Sequence, residues 1–450
     1  VSDYQTFLKS KVHPDDQFGF TPIILPDFLF GFQRFLVDWA IRKGRAALLE
    51  DCGVGKSCQE LVVAENVLRK TNKPVLILTP LAVGPQMVKE GEKFGIECKQ
   101  TRNGKVHKGI NVTNYEKLHL YDPSQFSLIV CDESGILKSY EGKLRRRITD
   151  ALHKVKYRLL ATATPSPNDY MELGNSSEAL GSMGRGQMLG MFFTNGGEST
   201  QQWELKGHAR KRFWRWVCSW ARACRKPSDL GFDDEGFILP ELITRQFTVD
   251  SPVKRSGFGF IPAKTLDDQR KERRLTIVER CEKVAELMPE NDYALVYCHL
   301  NPEGDLLEKL IPGAVQVAGK DRDEEKEERL AAFAAGQIKI LVTKPKIAGF
   351  GLNFQHCNQI TLFPSHSFES YYQTVRRCWR FGQKRKVYVN IVSSIGEGLV
   401  ISNMQRKEKA ADAMFSALVE SMSEYQLPKK KQEDSIEMVL PSWLHNGSGK

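Results

Sequence analysis

At 450 residues the chain exceeds one ordinary core, and a prior of roughly 100 to 200 residues per domain points to at least two lobes. Hydrophobic residues at 41% and charged residues at 27% are ordinary for a folded globular protein and exclude a disordered chain. Ten cysteines standing singly, no apolar run near the ~20 residues of a membrane helix, and an opening "VSDYQTFLKSKVHPDD" without the apolar centre of a signal peptide exclude a disulfide scaffold, a C-x-x-C zinc module and a membrane span; a cytoplasmic protein is expected.

The net charge is +10, and its placement is informative. Residues 203–228 carry eight Lys/Arg against one Glu, and residues 373–386 carry six Lys/Arg and no acid. These two patches outweigh the whole excess, as expected where a polyanion is bound at defined places.

Short apolar runs recur along the chain with helical stretches between them. The first set is "AALLE" (46–50), "PVLILTP" (74–80), "FSLIVCDES" (126–134) and "YRLLATATP" (157–165). The second is "YALVYCHL" (293–300), "KILVTKP" (339–345), "ITLFPS" (360–365) and "VYVNIVSS" (387–394). Near-continuous apolar strands alternating with helices predict parallel sheets covered on both faces, hence an α/β protein of two lobes. The boundaries read as lobe 1 over residues 1–173, lobe 2 over 241–426 and a loose polar tail over 427–450. Between the lobes, residues 174–240 fit neither sheet and read as a mainly helical, Trp/Arg-rich insertion.

"EDCGVGKSCQE" (50–60) follows the first strand and has the form of a phosphate loop, although Glu50 fills the slot of the first glycine in G-x-x-x-x-G-K-[ST]. Gly53, Val54 and Gly55 form the turn whose amides and helix N-terminus face phosphate. Lys56 is expected to reach the β- and γ-phosphates and Ser57 to hold Mg²⁺. "LIVCDES" ends a strand in Asp132, a second Mg²⁺ ligand, and Glu133, which orients the attacking water. In "SYYQTVRRCWRFGQKRK" a helix over 367–381 sets Gln373, Arg377 and Arg380 on one face, and the two guanidinium groups are candidates to stabilise a transferring phosphoryl group.

With these motifs the sequence resembles the Swi/Snf-type branch of superfamily 2 helicases, closest to the compact Swi/Snf-like helicases of bacteria and phages. That family writes its phosphate loop acidic-acidic-x-G-x-G-K-[ST], which accounts for Glu50 and Asp51. "GFQRFLVDW" resembles the family's Q motif, with Gln33 reading adenine, "LTPLAVGPQMVKE" motif Ia and "VTNYEKL" motif Ib. "DESGILKS" is similar to motif II, "LLATATPSPNDYMEL" to motif III, "TKPKIAGFGLNFQHC" to motif V and "QTVRRCWRFGQ" to motif VI. The resemblance implies two RecA-like lobes using ATP and Mg²⁺, with Gly351 and Gln373 near the nucleotide. It also implies Thr79, Pro80, Asn114, Tyr115, Thr343, Lys344 and Asn353 along a DNA path, and Thr162 and Thr164 coupling the two sites. One departure stands out. Ser134 and Gly135 follow the acids where the family has D-E-A-H or D-E-x-H, so the histidine linking ATP state to motif III is absent.

The resemblance implies a monomeric DNA motor on duplex or branched DNA, with RNA the weaker track. A strand-separating or annealing helicase at forks, or an ATP-gated clamp that does not step, are the alternatives. In residues 203–228, a helix would give Phe213, Trp216 or Val217, Trp220 and Cys224 one apolar face, as in a packed structural helix. Arg210, Lys211, Arg215, Arg222 and Arg225 could then face DNA, and the aromatics could instead stack on exposed bases. "DRDEEKEERLAAFAAG" (321–336) reads as an exposed helix burying Leu330, Phe333 and Ala334, with no chemistry of its own.

Overall fold

All eight apolar runs form strands in the computed structural model, which describes residues 18–138, 142–165, 169–195, 203–250, 266–348, 352–365 and 367–426. Gly351, the N-terminal segment to residue 17 and the tail from Leu427 lie outside the described residues.

The first sheet has the order β3-β4-β2-β5-β6-β1-β9 and is parallel throughout. Its strands are β1 Arg45–Glu50, β2 Val75–Thr79, β3 Cys98–Gln100, β4 Ile110–Asn114, β5 Leu128–Asp132, β6 Tyr157–Thr162 and β9 Ala221–Cys224. Every residue of β2, β5 and β6 is buried because both faces are covered. Alternate residues serve opposite cores: Ala47, Leu49, Leu76 and Leu78 enter one cluster, and Ala46, Leu48, Val75 and Ile77 the other. A hairpin of β7 (Phe193–Asn195) and β8 (Trp203–Leu205) stands apart from the sheet.

The second sheet, order β10-β15-β14-β11-β13-β12, is also parallel. It comprises β10 Leu242–Val249, β11 Ala294–Tyr297, β12 Ala314–Val317, β13 Ile340–Thr343, β14 Gln359–Leu362 and β15 Val387–Ser394. Leu295 and Tyr297 face one core, Ala294 and Val296 the other. The protein therefore has the two-lobed parallel α/β architecture expected.

Several expectations are corrected. Residues 174–240 do not stand outside the sheets, because β9 pairs in parallel with β1 from Ala47↔Ala221 to Glu50↔Cys224. The helix Arg210–Trp220 before it buries Phe213, Trp214, Val217, Cys218 and Trp220 in a lobe 1 core, so these aromatics are packing groups rather than a base-stacking platform. Cys224 lies on the strand, not on the helix face. The long last helix, Gly398–Gln426, starts on lobe 2 with Met404 in its core and ends with Phe415, Leu418, Val419 and Met422 in the lobe 1 core, strapping the lobes together. The helix Asp323–Ala334 buries Leu330 and Phe333 as expected, but Ala334 is exposed. No helix among the described residues is long and apolar enough to cross a membrane.

Candidate active site

Strand β1 delivers the phosphate loop at its carboxyl end, and the helix Lys56–Thr71 begins directly after it. The turn needs two left-handed residues, supplied by Gly53 at φ 92° and Gly55 at φ 88°. Lys56 Nζ donates to the carbonyls of Glu50 and Asp51, each at 3.0 Å, which folds the ammonium back over the cradle. Gln33 lies beneath the loop: its Nε2 donates to the Val54 carbonyl at 2.8 Å, and its Oε1 accepts from the Phe30 amide. A Cβ on Gly55 would come within 2.3 Å of that Nε2, so the glycine is fixed by contact as well as by φ.

Burial dominates the electrostatics. Glu50 is fully buried and accepts from Gln59 Nε2 at 2.8 Å, yet desolvation pushes its carboxyl up to about 7 against the opposing pull of Lys56 and that hydrogen bond. Burial works against the Lys56 ammonium, but the surrounding Cys52, Glu133, Glu50 and Asp51 outweigh it and raise its pKa. Asp132, at the end of β5, is pushed up to about 7 by burial and then by Glu133, with Lys56 and Arg377 opposing. Its carbonyl accepts from the Tyr115 hydroxyl at 2.6 Å. Glu133 holds a non-glycine backbone at φ 55°, a strained left-handed conformation of the kind that gathers at functional sites. Ser57 is the second residue of the helix Lys56–Thr71. Thr162 ends β6 and Thr164 lies just beyond it; both are buried, and the Thr164 amide donates to Thr162 Oγ1 at 3.1 Å.

Lobe 2 meets the loop directly. The motif VI helix spans only Phe368–Val375, so Arg377 and Arg380 lie beyond it rather than on its face. They still converge, each donating to the Leu352 carbonyl at 3.1 Å. Arg377 also donates to Gln373 Oε1 at 2.7 Å and to Cys52 Sγ of the loop at 3.9 Å. Burial, then Arg377, lowers the Arg380 pKa. A Cβ on Gly53 would lie 2.8 Å from the Phe381 amide nitrogen, which measures how closely lobe 2 covers the cradle.

Sequence reasoning missed a buried lobe-to-lobe contact at Asp51. Arg376 Nη2 donates to Asp51 Oδ2 at 2.7 Å, Tyr372 donates its hydroxyl to Asp51 Oδ1, and Arg225 Nε stands 3.8 Å from Asp51 Oδ2. Arg225 also pairs with Asp412 of the last helix, and Arg222 lies over the Trp39 ring and donates to the Cys218 carbonyl. These two arginines are structural, whereas Arg210, Lys211 and Arg215 are exposed.

The expected DNA-path residues divide. Thr79 and Asn114 are register partners at the carboxyl ends of β2 and β4 beside a small hollow shared with Arg102 and Lys117, but Thr79 is fully buried and only Asn114 of the two is partly exposed. Pro80 follows Thr79 at half-exposure. Tyr115 is a correction: it is buried, with its hydroxyl committed to the Asp132 carbonyl, and braces the end of β5 instead of lining a groove. Thr343 is buried too, its hydroxyl donating to the Val317 carbonyl at 3.1 Å, while Lys344 reaches Asn301 and Asn353 accepts from the Gln355 amide. Arg102, unremarkable in the sequence, is held from lobe 2 by Glu327 of the acidic helix, with Glu324 at 3.6 Å.

Residues 270–382 match the helicase conserved C-terminal domain. The chain is 22% identical to protein p41 of Acyrthosiphon pisum secondary endosymbiont phage 1, an alignment covering 86% of this chain and 98% of that protein. It is 26% identical to the Drosophila melanogaster SWI/SNF-related matrix-associated actin-dependent regulator of chromatin subfamily A-like protein 1, over 46% of this chain and 33% of that one. With the DNA annealing helicase and endonuclease ZRANB3 of Bos taurus the identity is 27%, over 36% of this chain and only 17% of that protein. A solved SWI2/SNF2 ATPase core of Sulfolobus solfataricus in complex with dsDNA aligns over 92% of this chain and 99% of its own, at 17% identity and a TM-score of 0.42.

Proposed function

We propose that this chain, with its Swi/Snf-like superfamily 2 helicase core, is an ATP- and Mg²⁺-dependent motor that turns ATP hydrolysis into movement on, or remodelling of, duplex or branched DNA. The observation that carries the reading is the seating of Arg377 and Arg380 of lobe 2 against the Cys52–Gly55 loop of lobe 1. A nucleotide at the loop would be enclosed by both lobes, and its turnover would change what holds them together.

The residues fit the ligands. Gly53 and Gly55 open a cradle, and Lys56 rests on two carbonyls that phosphate oxygens can replace. Ser57 and the desolvated Asp132 would hold Mg²⁺, which when bound withdraws charge from the phosphates. Glu133 orients the attacking water, and the two arginines neutralise the charge that develops in transfer. Gln33 and Gln373 brace the loop and Arg377, which keeps the site assembled.

Two relatives carry names that tie them to DNA or chromatin, which supports DNA as the track. Contact along the hollow at Asn114 and Lys117 would be made to phosphates and would be salt-sensitive and independent of sequence.

The test is ATP turnover without nucleic acid and with single-stranded DNA, duplex DNA, forked DNA or RNA, paired with displacement of a third strand from a triplex. Stimulation by duplex or forked DNA together with triplex displacement is the expected result. Stimulation without displacement on any substrate replaces the motor with an ATP-gated clamp, and unwinding of a labelled fork makes it a strand-separating helicase.

A further inference from the structure

Gly135 stands where motif II of the Swi/Snf-type helicases carries its histidine, so the ordinary side-chain link from the acids to motif III is missing. Another group fills the space. A Cβ on Gly135 would lie 3.2 Å from Thr164 Oγ1, 3.5 Å from Thr162 Oγ1 and 3.4 Å from Oε1 of Glu369. The threonines belong to lobe 1. Glu369 comes from lobe 2, in the first turn of the helix Phe368–Val375, where a carboxylate suits the helix dipole.

The Glu369 carboxylate accepts from Thr164 Oγ1 at 3.4 Å and forms an ion pair with Lys138. Lys138 ends the short 3₁₀ turn Ser134–Lys138, which starts directly after Glu133. With Glu369 only 15% exposed and Lys138 34%, the pair is largely shielded from water.

We propose that Glu369, through Lys138 and Thr164, replaces the missing motif II histidine as the link between lobe closure and the hydrolytic acids. The inference rests on the motor reading given above. Glu369, Tyr372, Gln373 and Arg376 are spaced i, i+3, i+4 and i+7, and Arg377 follows at once. A movement of lobe 2 that draws Arg377 away from Cys52 therefore draws Glu369 away from Lys138 and Thr164 in the same step. Glu133 sits in strained backbone at the near end of the 3₁₀ turn, and the Lys138–Glu369 pair pins the far end. Closure thus sets the Glu133 backbone, and opening releases it. Glu369 is a positioning residue that acts through the turn.

The test compares ATP turnover with and without duplex DNA for the full chain, Glu369→Gln, Lys138→Met, the double variant, and the charge swap Lys138→Glu with Glu369→Lys. Glu369→Gln and Lys138→Met should each lower the DNA-stimulated kcat about tenfold, within the usual range for a coupling between sites, while KM for ATP stays within about twofold. The double variant should be no worse than either single one, and the swap should recover a substantial part of the loss. Thermal melting of all forms separates this from a folding defect. A stimulated kcat within about twofold of the unaltered chain for both single variants overturns the link, as does a fall in kcat matched by a lower melting temperature and not recovered by the swap. If the unaltered chain is not stimulated by any DNA, the motor reading itself fails and takes the link with it, an outcome visible before any variant is made.

Discussion

Replacing Arg376 by methionine removes a guanidinium that donates to Asp51 across the lobes at 2.7 Å, with both side chains 6% exposed. Burial works against the Arg376 guanidinium, but Asp51 and then Tyr372 outweigh it and raise its pKa. Two charges about 4 Å apart attract by about 4 kcal/mol at an effective dielectric of about 20, and desolvation takes part of that back. Asp51 is not left bare, because Tyr372 and the Cys52 amide still donate to it and Arg225 stands 3.8 Å away. A cavity of about 440 Å³ borders Arg376 and admits solvent to one side of it. Arg376→Met should therefore cost about 2 to 3 kcal/mol, at or below the low end for a broken buried pair. In urea unfolding of the unaltered chain, Asp51→Asn, Arg376→Met and the double variant, the coupling should be about 2 kcal/mol. It should persist at high salt, since buried pairs are weakly screened. A coupling below about 0.5 kcal/mol would refute the reasoning and mean that Tyr372 and Arg225 already satisfy Asp51.

Four further outcomes are expected. Lys56→Ala should cut ATP turnover by at least about a hundredfold with the fold intact by circular dichroism, since the charge that meets the phosphates is gone. Gly53→Ala forces a side chain into φ 92° and to 2.8 Å from the Phe381 amide nitrogen; it should cost roughly 1 to 3 kcal/mol in denaturant unfolding and suppress turnover by holding lobe 2 off the loop. Glu50 has a folded pKa of about 7, above its unfolded value, so the native state holds the extra proton and stability is lost as pH rises from the unfolded pKa through about 7. Glu50→Gln should therefore raise the melting temperature relative to the unaltered chain at pH 8 much more than at pH 5, and an equal difference at both pH values would contradict the assignment. Glu327→Gln should leave Arg102 held only by Glu324 and Gln100 beside the Asn114–Lys117 hollow, tightening DNA binding modestly in fluorescence anisotropy and steepening its salt dependence.

The strands that were legible in the sequence and those that were not differ in one physical respect. Each of the eight runs that stood out is an interior strand, buried on both faces. Four of the strands that did not stand out, β3, β9, β10 and β12, are the edges of the two large sheets. An edge strand can be short or half-exposed: β3 is three residues long, and β10 has no fully buried residue along its length. Interior β4 was hidden for another reason, since its Asn111 and Thr113 look polar although both are buried, Asn111 donating to the carbonyls of Val75, His107 and Gly109. In the site, Lys56, Asp132, Glu133 and Arg377 were legible because their motifs are local in sequence. Arg376, Tyr372 and Glu369 were not, since each finds its partner some two hundred residues or more away, and a one-chain pattern carries no signal for such pairs.

The acids that break the general phosphate-loop pattern make sense once both lobes are in view. Glu50 faces inward, where it anchors Gln59 on the first turns of the helix that follows the loop. Asp51 faces outward to Arg376, Tyr372 and Arg225. The pair thus ties the start of the loop to its own helix on one side and to lobe 2 on the other. A glycine in place of Glu50 would drop the first tie and loosen the backbone that Lys56 bonds to. Asn in place of Asp51 would keep hydrogen-bonding capacity but leave the buried Arg376 without its counter-charge. Asp51 is one peptide away from Cys52, which touches Arg377, so movement of lobe 2 reaches the cradle by two adjacent residues. Lobe 2 is coupled to the phosphate loop through its backbone as well as through the arginines that would face the nucleotide, and the Asp51–Arg376 cycle measures the first coupling with no nucleotide present.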